Sequence, residues 1–562
     1  MRGKIRYYMV RAFNTHEVRK QKELTGCLWD FSPCQGENAG KVYKVATPCC
    51  WESHPAFAGY RGEGEYSVTF RAEGNIRLEF KGVSHTATVF LDGEEIASHY
   101  NAYTIFDAVV KNLENKEHKL IIRADNRFSE KSALHIPNDY MSYGGVSRPV
   151  VLEELNDAYT RYIHITPFYQ DGKWKAEVEA CIKNITDTAM ELDVQAEVAG
   201  QTVLWKKAAI KADEETVLKH ELEFDNVNPW TPASPVLYEA RVCLFKPGEE
   251  TELDDYIDRF GFREVKTEGK RILLNGEAVK IKGLCRHEDH PQYGCALPYA
   301  AMAADLEILR DLGANSVRTS HYPNDELFLD LCDELGILVW EENHARGLSE
   351  QDMRNPNFEW QAEQVIHEMI ASHYNHPSIY IWGILNECAS ETEYGKECYE
   401  KQFNLIKKLD SSRPHSFASC KFKTDICFGL PDVVSYNIYP LWYHDTPPEE
   451  YIDDLYQWVQ NETEGAGKPF LITETGAGGI YGYHNPYNSK WTEEYQAEAL
   501  EKQLKAVLGH EDCTGVYIWQ FCDIRVSDEW FGGRPRTMNN KGVVDEYRRR
   551  KMAYNVVKRI FG

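Results

Sequence analysis

The pattern of the chain changes at Lys280, and that change constrains the fold more than any other feature. Eight short apolar runs follow: KIKGLC, NSVRTS, ILVWEEN, IYIWGILNE, HSFASC, VVSYNIY, FLITET and GVYIWQF. Helical stretches such as AAMAADLEILRDLG and QAEQVIHEMIASHYN separate several of them. Buried parallel strands alternating with amphipathic helices imply a parallel α/β fold, and eight such units fit a (β/α)8 barrel. No G-x-G-x-x-G or Walker segment opens a helix, which weighs against an open doubly wound sheet. Upstream the pattern is β only. EYSVTFRAE, NIRLEFKGV, TATVFLDG, HKLIIRADN and RPVVLEEL alternate apolar and polar residues between turn signals, as strands of a sandwich do. FLDGEEIA sets D-G between two such runs, a hairpin cue. A second set, from YIHITPFYQ to LYEARVCLF, is spaced like an immunoglobulin-like sandwich. The chain therefore reads as a β-sandwich over residues 1–155, an immunoglobulin-like β-sandwich over 156–265 and a barrel over 266–562, with KTEGKRILLNGE leading into the barrel.

Charge narrows the partners. Lys plus Arg total 63 against 88 Asp plus Glu, a formal net charge of −25. Duplex binding needs a basic footprint, and an anionic membrane surface attracts one, so neither nucleic acid nor membrane is an expected partner. No run approaches the ~18 apolar residues of a membrane helix. The N-terminal stretch MRGKIRYYMVRAFNTHEVRK is charged throughout and lacks the apolar centre of a signal peptide. The 15 cysteines show no C-x-x-C spacing, which suits a reducing compartment. The expectation is a soluble, cytoplasmic protein.

In a (β/α)8 barrel the chemistry sits where strands end. Those ends are rich in polar and aromatic groups: Arg286 to His290, Arg318 to His321, Glu341 to Arg346, Asn386-Glu387, Asn437 to Tyr443, Glu474, and Trp519 to Arg525. Glu387 and Glu474 each close an apolar run. A glycosidase needs two carboxylates flanking the scissile bond, one as general acid/base and one as nucleophile, and these two supply the pair. Their alternative is a pair of rim glutamates in salt bridges. Asn386, beside the candidate acid, is placed to bond a sugar 2-hydroxyl. Asp, Asn and His side chains on this rim, His321 among them, are candidates to hold substrate hydroxyls. The run H-E-D-H at 287–290 lacks the H-E-x-x-H spacing, so hydrogen-bonded rim histidines are expected there rather than a metal site. Trp382, Trp442 and Trp519 are equally suited to the core and to a stacking floor for sugar rings.

At these residues the chain resembles glycoside hydrolase family 2, which includes β-galactosidases, β-mannosidases and β-glucuronidases. NDYMSYGGVSRPV, DRFGFREV, KGLCRHEDH, GANSVRTSHYPNDELFLDLCDELGILVWEE, IWGILNE and LITETG carry the likeness over essentially the whole chain. The resemblance implies a jelly-roll first sandwich and a retaining double displacement that needs no metal or cofactor. It casts Glu387 of ILNE as acid/base and Glu474 of ITETG as nucleophile. The segment RPRTMNNKGVVDEYRR is similar to the N-x-K element of β-glucuronidases, in which Asn and Lys read the uronic carboxylate; here these are Asn539 and Lys541. Asp139, Asn437, Tyr439 and Tyr443 match further sugar-binding positions, Trp442 lies in the same NIYPLWY motif, Trp519 is a candidate floor, and Arg536 is expected near the carboxylate. Arg346 departs from the apolar residue that glucuronidases carry in its loop. A guanidinium there suits an axial C4 hydroxyl or the carboxylate, favouring galacturonate; a surface ion pair is its alternative. The loop 347–361 is short, which suits bulky aglycones or oligosaccharides. The expectation is an exo-acting β-hexuronidase on a small glycoside or oligosaccharide, assembled as a homodimer or homotetramer. A β-galactosidase of the same family is the first alternative, and a non-catalytic carbohydrate-binding protein is the alternative from another class.

Overall fold

The computed structural model describes residues 10–530 and 532–562. Part of the charged N-terminal stretch read above for a leader, residues 1–9, lies outside them. Strands Glu63–Phe80 and Phe106–Asp125 form the spine of an eight-stranded antiparallel sheet in the first sandwich. Register shifts around Gly74, where an extra residue enters one strand, bend and twist these long strands. The D-G cue is a hairpin: Thr86–Leu91 pairs with Glu94–Tyr100, and Asp92 and Gly93 both take positive φ, 52° and 94°. Trp29, Trp51, Tyr66 and Phe80 lie in its core.

A three-stranded sheet, Ala158–Gln170, Lys173–Asn184 and Glu215–Phe224, faces a four-stranded one built on Met190–Val198 and Tyr238–Phe245. Alternate inward residues, Ile163, Val178, Val194, Val242 and Phe260 among them, fill the space between.

The eight apolar runs become the eight parallel strands of a closed barrel. They are β1 Ile281–Cys285, β2 Ser316–Thr319, β3 Leu338–Glu342, β4 Ile379–Ile384, β5 His415–Ser419, β6 Val433–Asn437, β7 Phe470–Thr475 and β8 Cys513–Ile518. KTEGKRILLNGE, which lacks a helical period, folds as a small antiparallel sheet beginning with Val265–Glu268 and Arg271–Leu274. Its Val265, Ile272 and Leu274 join Trp230 in one cluster with the interior residues Trp340, Tyr380 and Tyr517, closing the barrel at the N-terminal ends of its strands. Trp519, just past β8, belongs to the same cluster, so the packed interior runs up to the rim where the chemistry is expected.

Segment 138–148 docks the first sandwich onto that rim. Arg148 is buried and donates to Glu288 Oε2 at 2.8 Å, to the Pro323 carbonyl at 2.8 Å and to the Tyr103 carbonyl at 2.7 Å. Tyr143 Oη donates to Asp289 Oδ2 at 2.8 Å. Removing one partner of a buried ion pair leaves the other charged and dry. Arg148→Met should therefore weaken the docked unit by about 3–5 kcal/mol, seen as an earlier unfolding transition. A melting curve superimposable on the parent's would contradict this account of the docking.

Candidate active site

A cavity of about 670 Å³ opens at the C-terminal rim of the barrel. Of the residues nominated from the sequence, Asp139, Arg346, Glu387, Asn437, Tyr439, Tyr443, Glu474, Trp519 and Lys541 line it. His321, Asn386 and Asn539 stand in the layer behind, buried and bonded to lining residues or their neighbours. Another cavity, of about 640 Å³, lies where the two sandwiches meet the barrel. Its Arg11, Arg19 and Arg77 are already tied up with acidic partners, Asp330, Glu153 and Asp107.

Arg318, at the end of β2, organises the floor. Its Nη1 donates to Glu474 Oε1 at 3.0 Å, its Nη2 to Asn386 Oδ1 at 2.7 Å, and its Nε to Glu342 Oε2 at 2.9 Å. Tyr439 Oη donates to Glu474 Oε2 at 2.5 Å. With two donors, Glu474 is oriented with its position fixed at both oxygens. Burial first, then the field of Glu387, pushes the Glu474 carboxyl up to about 7, against the pull of Arg318 and Tyr439.

Glu387 follows β4 on backbone with φ of 54°, which a non-glycine residue adopts only when its surroundings hold it there. Its amide donates to the Ala418 carbonyl. Its Oε1 accepts from Asn437 Nδ2 at 3.0 Å and its Oε2 lies 3.2 Å from Arg346 Nη2. Thr473 Oγ1 donates to Asn437 Oδ1 at 2.9 Å and so fixes which face of that amide meets Glu387. Asn386 Oδ1 is fully used by Arg318 and Asn437, whereas its Nδ2 is buried with no hydrogen-bond partner among the described residues. A buried donor with nothing to bond costs free energy until something polar arrives.

The other end of the cavity is cationic. Lys541 is 2% exposed; its Nζ donates to Tyr443 Oη at 3.0 Å and lies within 6 Å of the ring centres of Tyr439, Trp442 and Tyr443. Among the described residues no carboxylate is within ion-pair distance of it. Burial, reinforced by Arg534, pulls its pKa below the usual ammonium value. Arg534 is engaged with Asp139, donating from Nε to Oδ1 at 2.8 Å and from Nη2 to Oδ2. Asn539 Nδ2 also donates to Asp139 Oδ2, at 3.0 Å. Burial would raise the Tyr443 hydroxyl, but the Lys541 and Arg534 charges outweigh it and lower its pKa.

Arg536 is placed differently from the sequence expectation. Arg536 and Thr537 take φ of 62° and 53°, and this turn sends the Arg536 side chain out to Glu546, 2.6 Å away. Arg534, two residues earlier in R-P-R, lines the cavity instead. Arg318 was visible only as one of many strand-end polar residues, although a cation closing an apolar strand has to find buried acids. Trp382 and Trp442 are core residues: Trp382 Nε1 donates to Asp410, and Trp442 packs edge-on to Trp491. Trp519 lies parallel to the His321 ring with centres 5.0 Å apart and forms part of the cavity wall. Within H-E-D-H, His287 Nδ1 is 3.3 Å from Tyr322 Oη, and His290 Nδ1 accepts from the Gln292 amide.

Residues 265–561 match the model for the TIM barrel domain of glycosyl hydrolases family 2, and residues 158–263 match a second model of glycosyl hydrolases family 2. A crystal structure of a β-galacturonidase of this family from Eisenbergiella tayi, bound to galacturonate, is 58% identical. It covers 98% of this chain and 99% of its own, with a TM-score of 0.96. A β-glucuronidase from Streptococcus agalactiae is 30% identical over 84% of this chain and 85% of its own length. A β-galactosidase from Thermoanaerobacter pseudethanolicus is 31% identical over 66% of this chain and 50% of its own.

Proposed function

Since this chain belongs to glycoside hydrolase family 2, we propose that it is a retaining, exo-acting β-hexuronidase that prefers galacturonides. The observation that carries the reading is Lys541, a buried ammonium with no acidic partner among the described residues, in the same cavity as Glu387 and Glu474. Burying an unpaired charge is costly, and a uronic carboxylate supplies the missing partner. A neutral sugar would leave it unpaired. The likeness to a β-galacturonidase across nearly the whole chain supports galacturonate over its epimer. Arg346 lines the cavity, with Nη1 donating to Asn138 Oδ1 at 2.7 Å, and offers a guanidinium to an axial C4 hydroxyl.

In the proposed mechanism Glu474 attacks the anomeric carbon while Glu387 protonates the leaving oxygen. The mechanism therefore needs Glu474 ionised and Glu387 protonated when substrate is bound. Asn386 Nδ2 takes the sugar 2-hydroxyl. Water then opens the glycosyl-enzyme with Glu387 as base, and the configuration is kept.

The test is to follow hydrolysis of an aryl β-galacturonide by proton NMR before mutarotation. The first product should be β-galacturonate. First-formed α-anomer would exclude double displacement, and an untouched uronide would exclude the function.

The pH dependence follows from Glu474, which must be ionised to attack. Its carboxyl is pushed up to about 7, so below that range it is protonated and cannot attack, and kcat/KM should rise as pH rises through it. Glu387→Gln removes the field that helps to raise Glu474, and its residual activity on a substrate with a highly activated leaving group should show this acid limb moved to lower pH. An acid limb that stays in place in Glu387→Gln would contradict this account of Glu474.

A further inference from the structure

The cavity continues past the two glutamates to a wall unlike the cationic end. Phe422 comes from the loop after β5; His444, Glu450, Tyr451 and Asp454 come from the region after β6. Phe422 is 42% exposed, its ring centre 5.1 Å from that of Tyr451, and Tyr451 in turn stacks on His444 at 5.6 Å. This is a row of aromatic faces open to the cavity. The wall's cations are spent on acids, and the Lys423 ammonium also lies 5.4 Å from the Phe422 ring centre. Asp454 is paired with Lys423 at 2.6 Å, and Lys421 is spent on Glu391 at 2.9 Å. Glu450 is exposed and forms no ion pair among the described residues.

The position of this wall follows from the barrel order. Glu387 closes β4, its amide is bonded to β5, and β5 runs straight into Cys420 and Phe422. Lys541, by contrast, arrives from the segment after β8, beside Asp139 of the first sandwich. A proton donor lies on the leaving-group side of the bond it cleaves. Whatever departs from Glu387 therefore leaves along the Phe422–Tyr451 wall and away from Lys541.

We infer that Phe422, Tyr451 and Glu450 form a leaving-group subsite that stacks a flat, uncharged or cationic ring and disfavours an anionic one. The inference rests on the hexuronide reading above and on Glu387 as its proton donor. The cavity thus selects one negative charge at the sugar and rejects a second beyond it, so a terminal uronate on a neutral ring is the substrate class, and one uronate attached to another is not.

The experiment uses coumarin β-galacturonides bearing a methyl, an aminomethyl or a carboxymethyl group remote from the phenolic oxygen, with β-galacturonosyl fluoride as reference. Fluoride is too small to reach the wall. The methyl and aminomethyl compounds should be turned over with similar kcat/KM, and the carboxymethyl compound about fivefold more slowly at low salt. Glu450→Gln should close most of that gap, and so should 1 M salt. Phe422→Ala should lower the ratio of coumarin to fluoride kcat/KM about tenfold through lost stacking. Hydrolysis of the fluoride with no discrimination among the coumarins, and a ratio unmoved by Phe422→Ala, would overturn this inference alone. A fluoride left intact would overturn the uronide reading, and this inference with it.

Discussion

Replacing Glu474 by glutamine should reduce turnover by about 10⁴-fold or more, equivalent to ~5.5 kcal/mol of transition-state stabilisation, with little change in folding. The side chain keeps its size, Tyr439 retains an acceptor, and Arg318 retains Glu342 and Asn386. The assignment of roles can be separated from simple loss of activity by azide. In Glu474→Ala, azide entering the vacated space would attack the sugar directly and give the α-glycosyl azide. In Glu387→Ala, azide would intercept the glycosyl-enzyme and give the β-anomer. The two variants yielding the opposite anomers would exchange the roles of the glutamates, and undiminished turnover in Glu474→Gln would remove it from the reaction.

Lys541→Met should lower kcat/KM on aryl galacturonides by about 10³-fold, because the bound carboxylate would be left dry and unpaired. Turnover of an aryl β-galactoside, with no carboxylate to lose, should not fall with it. The same change should not destabilise the fold. Methionine fills a similar volume among Tyr439, Trp442 and Tyr443 and removes a buried ammonium that has no acid within ion-pair distance among the described residues. The sign with pH follows from the depressed pKa of Lys541. A cation whose folded pKa lies below its unfolded value penalises folding below the folded pKa, and the penalty disappears above the unfolded one. The stability gain in Lys541→Met should therefore be present at neutral pH and shrink as pH rises into the ordinary lysine range. Parallel losses of uronide and galactoside turnover would show a general structural defect and contradict carboxylate reading by Lys541.

Most of the architecture was legible because its signals are local and repeated. The eight barrel strands are apolar on both faces, so they stand out as runs, and D-G at 92–93 fixes a hairpin on its own. Glu387 and Glu474 were legible for the same reason, each ending a run too apolar to meet solvent by chance. What stayed hidden depends on where loops turn. Nothing in R-P-R distinguishes Arg534 from Arg536; the positive φ at 536 and 537 does. The hub made by Arg318 joins β2, β3, β4 and β7 across the barrel, and a linear reading gives no means of pairing those ends. The Phe422–Tyr451 wall was hidden too, because its parts come from loops of irregular composition and meet only once β5 and β6 lie side by side. Arg346 was read as a sugar-facing residue or a surface pair, and its guanidinium lies between Asn138 and Glu387.

The central claim is that this cavity reads a uronic carboxylate. Initial rates on matched aryl β-galacturonide, β-glucuronide and β-galactoside test it most directly. The account predicts turnover of the galacturonide first, the glucuronide more slowly, and the galactoside at least about 10³-fold below the better uronide in kcat/KM. A galactoside turned over as well as either uronide would contradict the claim while leaving the two-glutamate chemistry intact.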